Sequence, residues 1–278
     1  MIVTNHFPAA PLNSYINYFW YCEGPLPYPR LKVLPMPSLH LMINFGDSYN
    51  VYEPNHIEPL VTCAESWSVG LWNSYHLMDW PQNMQLLSVS FKPGGAYPFL
   101  QLPLSELHNQ IIALDTIWGR WAAEIRERLY GAATIQARFA LLEQLLLARL
   151  CEGPHGLKAV QYAVAEIARH CGTLSIRTLS DQMGISQKHL ITQFKQWAGG
   201  TPKELARIYR FRDVLFGLDA TQAPRWGQVA YQHGYYDQAH FNQDFAAFTG
   251  HSPTEYWQLL RQVHNENPQL GPKHVPTG

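Results

Sequence analysis

Apolar and polar residues alternate along several short stretches of residues 1–102. In 39–45 every second residue is apolar, and Gly46-Asp47 follows as a turn. The stretch 87–91 repeats the alternation and stops at Pro93-Gly94-Gly95. A period of two residues is typical of a strand with one buried face, and Gly or Pro commonly ends it. Because no helical pattern separates these stretches, they predict a β-rich sandwich or barrel.

The hydrophobic period changes to that of helices near residue 104. The pattern predicts a short helix from Ser105 through Leu114, a second over Thr116–Tyr130 and a third over Thr134–Leu150. The predicted inner residues recur at helical spacings: Trp118, Trp121, Ile125 and Leu129, then Leu141, Leu145 and Leu146. The last two helices, joined by a short turn, form a helical hairpin. This hairpin either joins two copies of the chain or caps the core of the strand domain.

A stretch rich in Gly and Pro separates two parts of the chain. Residues 152–156 read Glu-Gly-Pro-His-Gly between helical patterns, which is typical of a linker. We therefore predict an N-terminal domain over 1–151, this linker, a C-terminal domain over 157–264 and a tail over 265–278.

The C-terminal domain contains an internal repeat. Residues 186–194 (SQKHLITQF) correspond to 237–245 (DQAHFNQDF) at an offset of 51. The correspondence continues through Trp197/Phe248, Gly199/Gly250, Thr201/Ser252, Pro202/Pro253 and Glu204/Glu255. Upstream, Gly184 corresponds to Gly234 at an offset of 50, so the second copy has one more residue in its turn.

Each copy predicts a helix, a tight turn and a second helix. In the first copy Gly184 ends a helix over Ile176–Met183, and Ser186 caps the next helix. Gly234 and Asp237 take these places in the second copy. The buried stripes of the two second helices are predicted at Leu190, Phe194 and Trp197, and at Phe241, Phe245 and Phe248.

This arrangement is typical of a helix-turn-helix, whose second helix lies in the major groove of DNA. A pair of purely structural hairpins is the alternative. Two copies in register, joined by a long helix from Pro202 to about Leu218, favour DNA binding.

Residues 157–260 resemble the DNA-binding domain of AraC/XylS-type transcription regulators, which are bacterial. The resemblance is carried by Leu179–Ser186, Leu190, Phe194, Gly199 and Pro202, and in the second copy by Val229-Ala230, Gly234-Tyr235, Asp237-Gln238, His240-Phe241, Phe245, Gly250, Pro253 and Tyr256. It covers over a third of the chain. It implies seven helices and two recognition helices that enter successive major grooves on one face of the DNA.

The N-terminal part resembles an uncharacterised sensor domain found ahead of such DNA-binding domains. The matching stretches are 41–47 (LMINFGD), 69–71 (VGL) and 91–96 (FKPGGA). AraC-type sensor domains are often cupin-like barrels, which agrees with the strand pattern. The predicted fold class is thus α+β and multidomain: a β-rich cupin-like barrel or sandwich followed by helices, then an all-α domain with two helix-turn-helix units joined by a long linker helix.

The outward face of the first recognition helix supplies candidate base contacts. The residues pointing away from the buried stripe are Gln187, Lys188, Ile191, Thr192 and Lys195. The resemblance places Lys188, Ile191 and Thr192 at base edges. Lys188 can donate to guanine and Ile191 can pack on a thymine methyl group.

Other residues of the first unit are better placed for phosphates, which position the protein without reading sequence. Lys195 and Arg177 supply charge. Ser186, with nearby backbone N–H groups, can hold a phosphate at the helix N-terminus.

The second recognition helix departs from the family pattern. Its outward residues are Gln238, Ala239, Asn242 and Gln243, and Asn or Gln can bind adenine through two hydrogen bonds. Family members usually carry Arg and Lys where this chain has Gln243 and Ala246. No Lys or Arg lies between Arg225 and Arg261. Because affinity for DNA rises with the number of neutralised phosphates, we expect the first unit to supply most of it.

The net charge of the chain is −1, but the charged residues are unevenly distributed between its two parts. Residues 157–264 contain 11 Lys and Arg against 8 Asp and Glu, and the remainder contains 9 against 13. The C-terminal domain is therefore mildly basic and the rest acidic, as expected for a DNA-binding domain behind an acidic sensor.

Composition and motifs exclude several protein classes. The sequence shows no signal segment and no apolar run of about 18 residues, so we expect a cytoplasmic protein without membrane contact. Its four cysteines form no CxxC pair, which argues against a disulfide framework and a zinc finger. No GxSxG, HExxH or P-loop pattern occurs, so we expect no enzyme, cofactor or metal.

The candidates for effector binding are aromatic or titratable residues of the predicted barrel: Trp20, His40, Trp67, Trp72 and Trp80. Such rings can stack on a sugar or an aromatic effector, although they often only fill a core. The expected partners are double-stranded DNA, a small-molecule effector, RNA polymerase and a second copy of the chain. Two alternatives stay open: a protein-interaction module that has lost DNA binding, and a barrel that binds a metal through His40 and His76.

Overall fold

The computed structural model describes residues 1–26 and 28–266. Within these residues the N-terminal domain has ten strands: β1 (Ile2–His6), β2 (Ile16–Glu23), β3 (Arg30–Val33), β4 (Leu39–Asn44), β5 (Tyr49–Tyr52), β6 (Val61–Cys63), β7 (Ser66–Val69), β8 (His76–Asp79), β9 (Gln85–Phe91) and β10 (Ile111–Ala113). They form two antiparallel sheets, one of six strands in the order β1-β2-β9-β4-β7-β10 and one of four in the order β3-β8-β5-β6.

The alternation in β4 and β9 produces a larger sheet with two different faces. Leu41 and Val89 are paired across the strands, are at most 1% exposed, and pack towards the helices of this domain. Met42 pairs with Ser88 on the other face and packs in the core between the two sheets. The predicted β-rich sandwich or barrel is therefore confirmed.

Among the described residues, four α-helices complete the N-terminal domain: α1 (Tyr97–Leu100), α2 (Leu114–Trp118), α3 (Arg120–Tyr130) and α4 (Ile135–Arg149). Helix α4 begins where predicted, because the Thr134 side chain accepts a hydrogen bond from the Ala137 backbone N–H at 3.1 Å.

Two predicted helices differ from the observed elements. The helix predicted from Ser105 through Leu114 is wrong: a 3-10 turn (Leu104–Leu107) is followed by β10, whose Ile111 pairs with Val69 of β7. The free edge of β7 is thereby paired, which local sequence does not reveal. The helix predicted over 116–130 breaks at Gly119, which has a φ of +60°.

The hairpin of α3 and α4 caps the larger sheet. Its inner side chains are buried in the same core as the sheet: Ala122, Ile125, Leu129, Phe139, Leu142, Leu145 and Leu146. Of the predicted inner residues, Trp121 and Leu141 are only partly buried. The packing supports the capping interpretation of the hairpin.

Seven helices follow within the described part of the C-terminal domain: α5 (His155–Arg169), α6 (Ile176–Gln182), α7 (Gln187–Ala198), α8 (Pro202–Gly217), α9 (Trp226–Gln232), α10 (Gln238–Thr249) and α11 (Pro253–Glu266). Helix α5 begins within the predicted linker 152–156. The predicted tail lies, from residue 267 onwards, outside the described residues.

The two domains pack directly against each other. Leu34 and Leu71 of the N-terminal domain are buried in the same apolar cluster as the C-terminal helices. The rings of Tyr97 and Trp197 lie 4.5 Å apart, edge to face. These contacts reach the C-terminal end of α7 and leave its N-terminal end uncovered.

A helix long and apolar enough to span a bilayer does not occur among residues 1–26 and 28–266.

Candidate nucleic-acid interface

The first helix-turn-helix unit consists of α6, a tight turn and α7. Gly184 has a φ of +66°, a left-handed conformation that favours glycine, and its N–H donates to the Asp181 carbonyl. The Ile185 N–H donates to the Ser180 carbonyl. The Ser186 hydroxyl then accepts from the His189 N–H at 3.2 Å and caps α7. The predicted turn and cap are confirmed.

The second unit, α9 to α10, repeats this geometry. Gly234 has a φ of +70° and donates to the Tyr231 carbonyl, and the Tyr235 N–H donates to the Ala230 carbonyl. The Asp237 carboxylate accepts from the His240 N–H at 2.7 Å and caps α10. The two turns thus have the same hydrogen bonds, as the repeat predicts.

The predicted buried stripes orient both recognition helices. Leu190, Phe194 and Trp197 of α7 are buried, as are Phe241, Phe245 and Phe248 of α10. Since these residues point into the domain core, the opposite face of each helix points to solvent.

All candidate DNA contacts are exposed. In the first unit these are Arg177 on α6, then Ser186, Gln187, Lys188, Ile191, Thr192 and Lys195. In the second unit they are Gln238, Ala239, Asn242 and Gln243. The Thr192 hydroxyl also donates to the Lys188 carbonyl at 3.0 Å, within its own helix. The N-terminal domain covers none of these side chains.

Two arginines of α8, Arg207 and Arg210, stabilise contacts within the C-terminal domain. Arg207 donates twice to Oδ1 of Asp244 on α10, at 3.1 and 2.7 Å, and its guanidinium lies over the Phe248 ring. Arg210 lies over the Tyr235 ring. The partner of Arg207 lies 37 residues away in the sequence. No local pattern signals such a pair.

The structure brings some effector candidates together. Trp20, Trp67 and Trp80 belong to the core between the two sheets. Trp67 is buried against Tyr49, whereas Trp20 is half-buried, and Trp80 is half-buried with Nε1 donating to the Gly24 carbonyl.

Trp72 lies apart from these three. It is 6% exposed and packs against the His76 ring at 4.9 Å. Burial lowers the pKa of His76 from 6.5 to about 4, so this imidazole is neutral at physiological pH.

His40 is half-buried on the face of the larger sheet that carries Met42. Its ring nitrogens lie 2.8 Å from the Ser38 hydroxyl and 3.3 Å from the Ser88 hydroxyl. The cross-strand neighbour Ser90 is buried, and its hydroxyl has no hydrogen-bond partner among the described residues. In the part of the chain that the structure describes, no three His, Cys, Asp or Glu side chains are grouped to hold a metal.

Sequence reasoning missed two features. Lys32 is a buried residue of β3 whose Nζ donates to the Thr249 carbonyl of α10 at 2.8 Å. An open groove of about 500 Å³ lies at the N-terminal end of α4, lined by residues that include Tyr21, Glu23 and Arg138. Both features join segments far apart in sequence, so no local pattern could have revealed them.

Two family profiles match the chain. One is described as "Domain of unknown function (DUF6597)" and matches residues 4–113, which contain nearly all of the strand domain. The other is described as "Helix-turn-helix domain" and matches residues 179–258, which span both units. No protein with curated annotation matches the chain significantly.

Similar solved structures include ToxT from Vibrio cholerae, with 12% identity and a TM-score of 0.44 over 86% of this chain and 98% of that one. The C-terminal domain of AraT, a response regulator from Geobacillus stearothermophilus, has 25% identity and a TM-score of 0.33 over 36% and 83%. CuxR, an AraC-like transcriptional activator, has 11% identity and a TM-score of 0.25 over 76% and 86%. The chain thus contains a helix-turn-helix domain over residues 179–258 behind a domain of unknown function over residues 4–113.

Proposed function

We propose that the protein regulates transcription from the cytoplasm by reading two adjacent major-groove sites with α7 and α10, in response to a small molecule bound by its N-terminal domain. The observation that carries this proposal is the exposure of every candidate contact on two recognition helices with the same turn geometry. Helix-turn-helix recognition requires such uncovered N-terminal helix ends.

Base reading is assigned to the outward residues of both helices. Lys188 donates to guanine, Ile191 packs on a thymine methyl group, and Asn242 and Gln243 bind adenine edges. Gln187, Thr192, Gln238 and Ala239 line the same faces. Arg177, Ser186 and Lys195 contact phosphates and so set the register on the duplex.

The effector site is proposed between the two sheets. His40, Trp20 and Trp80 are the candidates with accessible surface there, whereas Trp67 and Trp72 are buried and position their neighbours. The unpaired hydroxyl of Ser90 beside His40 offers a donor or acceptor to a polar ligand. An aromatic or sugar-like molecule, with a flat apolar face and polar groups, fits these side chains.

The effector proposal is tested by following tryptophan fluorescence while aromatic and sugar ligands are titrated. A saturable change that is lost in His40→Leu and reduced in Trp20→Phe supports the site. Trp121→Phe, which alters a half-buried tryptophan of the helical layer, is the matched control. A response that survives both site variants contradicts it.

We also propose that two copies associate through their N-terminal domains and bind two repeated operator sites, where RNA polymerase is recruited. Symmetric association of the sensor domains would double the phosphate contacts of one complex. Sedimentation of the free and DNA-bound protein tests this stoichiometry.

DNA reading is tested by selecting bound duplexes from a random pool at two salt concentrations. Two enriched blocks about one helical turn apart support reading by both helices of one chain. Absence of enrichment and of binding at low salt, with and without cell extract as a source of effector, supports the alternative of a protein-interaction module instead.

A further inference from the structure

Two tyrosines of the second unit are almost fully exposed. Tyr231 on α9 is 84% exposed, and Tyr236 in the turn before α10 is 93% exposed. By contrast, Tyr235 and Phe241 of the same unit are at most 5% exposed. A tyrosine ring is largely apolar, and this unit already has an aromatic core in which rings pack. The two exposed rings therefore have no packing function in the folded chain.

Tyr236 is the extra residue of the second turn. The Ile185 N–H bonds to the carbonyl five residues earlier, at Ser180, and the Tyr235 N–H bonds to the carbonyl of Ala230 in the same way. Tyr235 is thus the structural counterpart of Ile185, and Tyr236 has no counterpart in the first unit. The inserted side chain projects into solvent directly before the recognition helix.

The general docking geometry of helix-turn-helix units predicts that both tyrosines lie beside the DNA backbone. Tyr236 immediately precedes Asp237, the N-cap of α10, and the N-terminal end of a recognition helix enters the major groove. Tyr231 lies on α9, the first helix of the unit, which crosses the backbone in such complexes. We therefore expect the phosphates along the groove edges to be the nearest DNA groups to both positions.

Between its α9 N-cap, Arg225, and Arg261 the second unit has no cation that could bind phosphate. No Lys or Arg lies between Arg225 and Arg261, whereas the first unit has Arg177, Lys188 and Lys195. The Asp237 carboxylate caps α10 by accepting the His240 N–H, so the helix N-terminus carries its own anion. A tyrosine hydroxyl can donate to a phosphate oxygen without any charge.

We propose that Tyr231 and Tyr236 anchor the second unit on duplex DNA through hydrogen bonds from their hydroxyl groups to phosphate oxygens, in place of the missing cations. This inference rests on the proposed DNA reading. Because neutral donors release few counterions, it predicts an affinity contribution that is insensitive to salt.

The test compares DNA affinity across a salt series for the full chain and its variants, with a duplex carrying the selected sequence as the probe. Tyr231→Phe and Tyr236→Phe keep the rings and remove only the hydroxyls. Each is expected to weaken binding about fivefold at every salt concentration, with an unchanged slope against salt. Lys195→Ala, at a proposed phosphate contact of α7, is expected to weaken binding and to reduce the slope by about one.

Tyr130→Phe, at a 62% exposed tyrosine of the N-terminal domain, is the matched control and should bind as the unaltered protein does. If the double phenylalanine variant binds as tightly as the unaltered chain, the inference is wrong, and the rings serve another partner such as a protein. If the unaltered chain binds no duplex at any salt concentration, the proposed DNA reading itself fails and this inference with it.

Discussion

Lys32 of β3 places its Nζ 2.8 Å from the carbonyl oxygen of Thr249, in the last turn of the recognition helix α10. The same Nζ lies 2.6 Å from Nε2 of His251 and 4.5 Å from the centre of the Tyr75 ring. A cation of the N-terminal domain thus lies at the negative, C-terminal end of helix α10 in the other domain. The relationship ties the position of α10 to the strand domain.

Lys32→Met is expected to loosen this contact. The Thr249 carbonyl loses its donor, so amide exchange in the last turn of α10 should become about tenfold faster. Global stability should change less, because burial lowers the pKa of Lys32 to about 8 and removal of the charge offsets the lost hydrogen bond. Hydrogen-exchange mass spectrometry measures the effect, with the exposed Lys158→Met as control. Unchanged exchange in α10 would show that Lys32 does not hold the helix.

His76 is expected to make the protein sensitive to acid. Its pKa is about 4 in the folded state against 6.5 as the ordinary value, so the unfolded chain binds the proton first as the pH falls. The free energy of unfolding should therefore decrease between pH 6.5 and 4, by on the order of 3 kcal/mol for this residue.

His76→Leu should remove that part of the pH dependence, which is measured as the difference between the two proteins in denaturant unfolding at several pH values. His56→Leu, at an exposed histidine, should follow the unaltered protein. Parallel curves for His76→Leu and the unaltered chain would contradict the assignment.

The first unit is expected to dominate DNA affinity. Lys188→Ala or Lys195→Ala removes a cation from α7 and should weaken binding about tenfold, with a smaller dependence on salt. Gln243→Ala on α10 should cost less affinity and should mainly relax preference in the second block of the site. Competition binding with duplexes altered in either block measures both effects. Equal losses from the two helices would rule out unequal units.

The pair of Arg207 and Asp244 is expected to support the second unit. The Asp244 side chain is 5% exposed, so Arg207→Ala leaves a buried carboxylate without its cation and should cost about 3–5 kcal/mol. Replacement of both residues by Leu should recover much of this loss, since no charge stays buried.

Denaturant unfolding of the single and double variants measures the coupling. Arg169→Ala, which breaks an exposed pair with Glu166, should change stability little. A similarly small effect of Arg207→Ala would show that Asp244 is solvated.

Local patterns were sufficient for most of the C-terminal domain. The caps at Ser186 and Asp237 depend on hydrogen bonds to residues three positions away, and the buried stripes depend on a period of about 3.6 residues. The repeat strengthened this prediction, because the same turn pattern between two helices occurs twice in the sequence. The strand alternation of 39–45 and 87–91 separated the two faces of the larger sheet, but it predicted only one of them to be buried, whereas Ser88 and Ser90 on the other face are buried as well.

Other predictions went wrong where distant segments compete with local propensity. Residues 105–114 look helical by themselves, yet Ile111 completes the edge of a sheet formed much earlier in the chain. Pairing with the edge of β7 gives the backbone N–H and C=O groups of β10 hydrogen-bond partners, whereas a short helix would leave several of these groups to solvent. This stabilisation is available only where β7 lies alongside.

The sequence by itself determined the paired helix-turn-helix units, their outward faces and the strand-rich character of the first domain. These follow from interactions within a few residues, which the order of side chains specifies directly. Only the tertiary structure decided that Lys32 meets the end of α10, that Arg207 binds Asp244 and that the α3–α4 hairpin caps the sheet. Those contacts join segments separated by tens to hundreds of residues, and the packing of whole elements against one another sets which side chains meet.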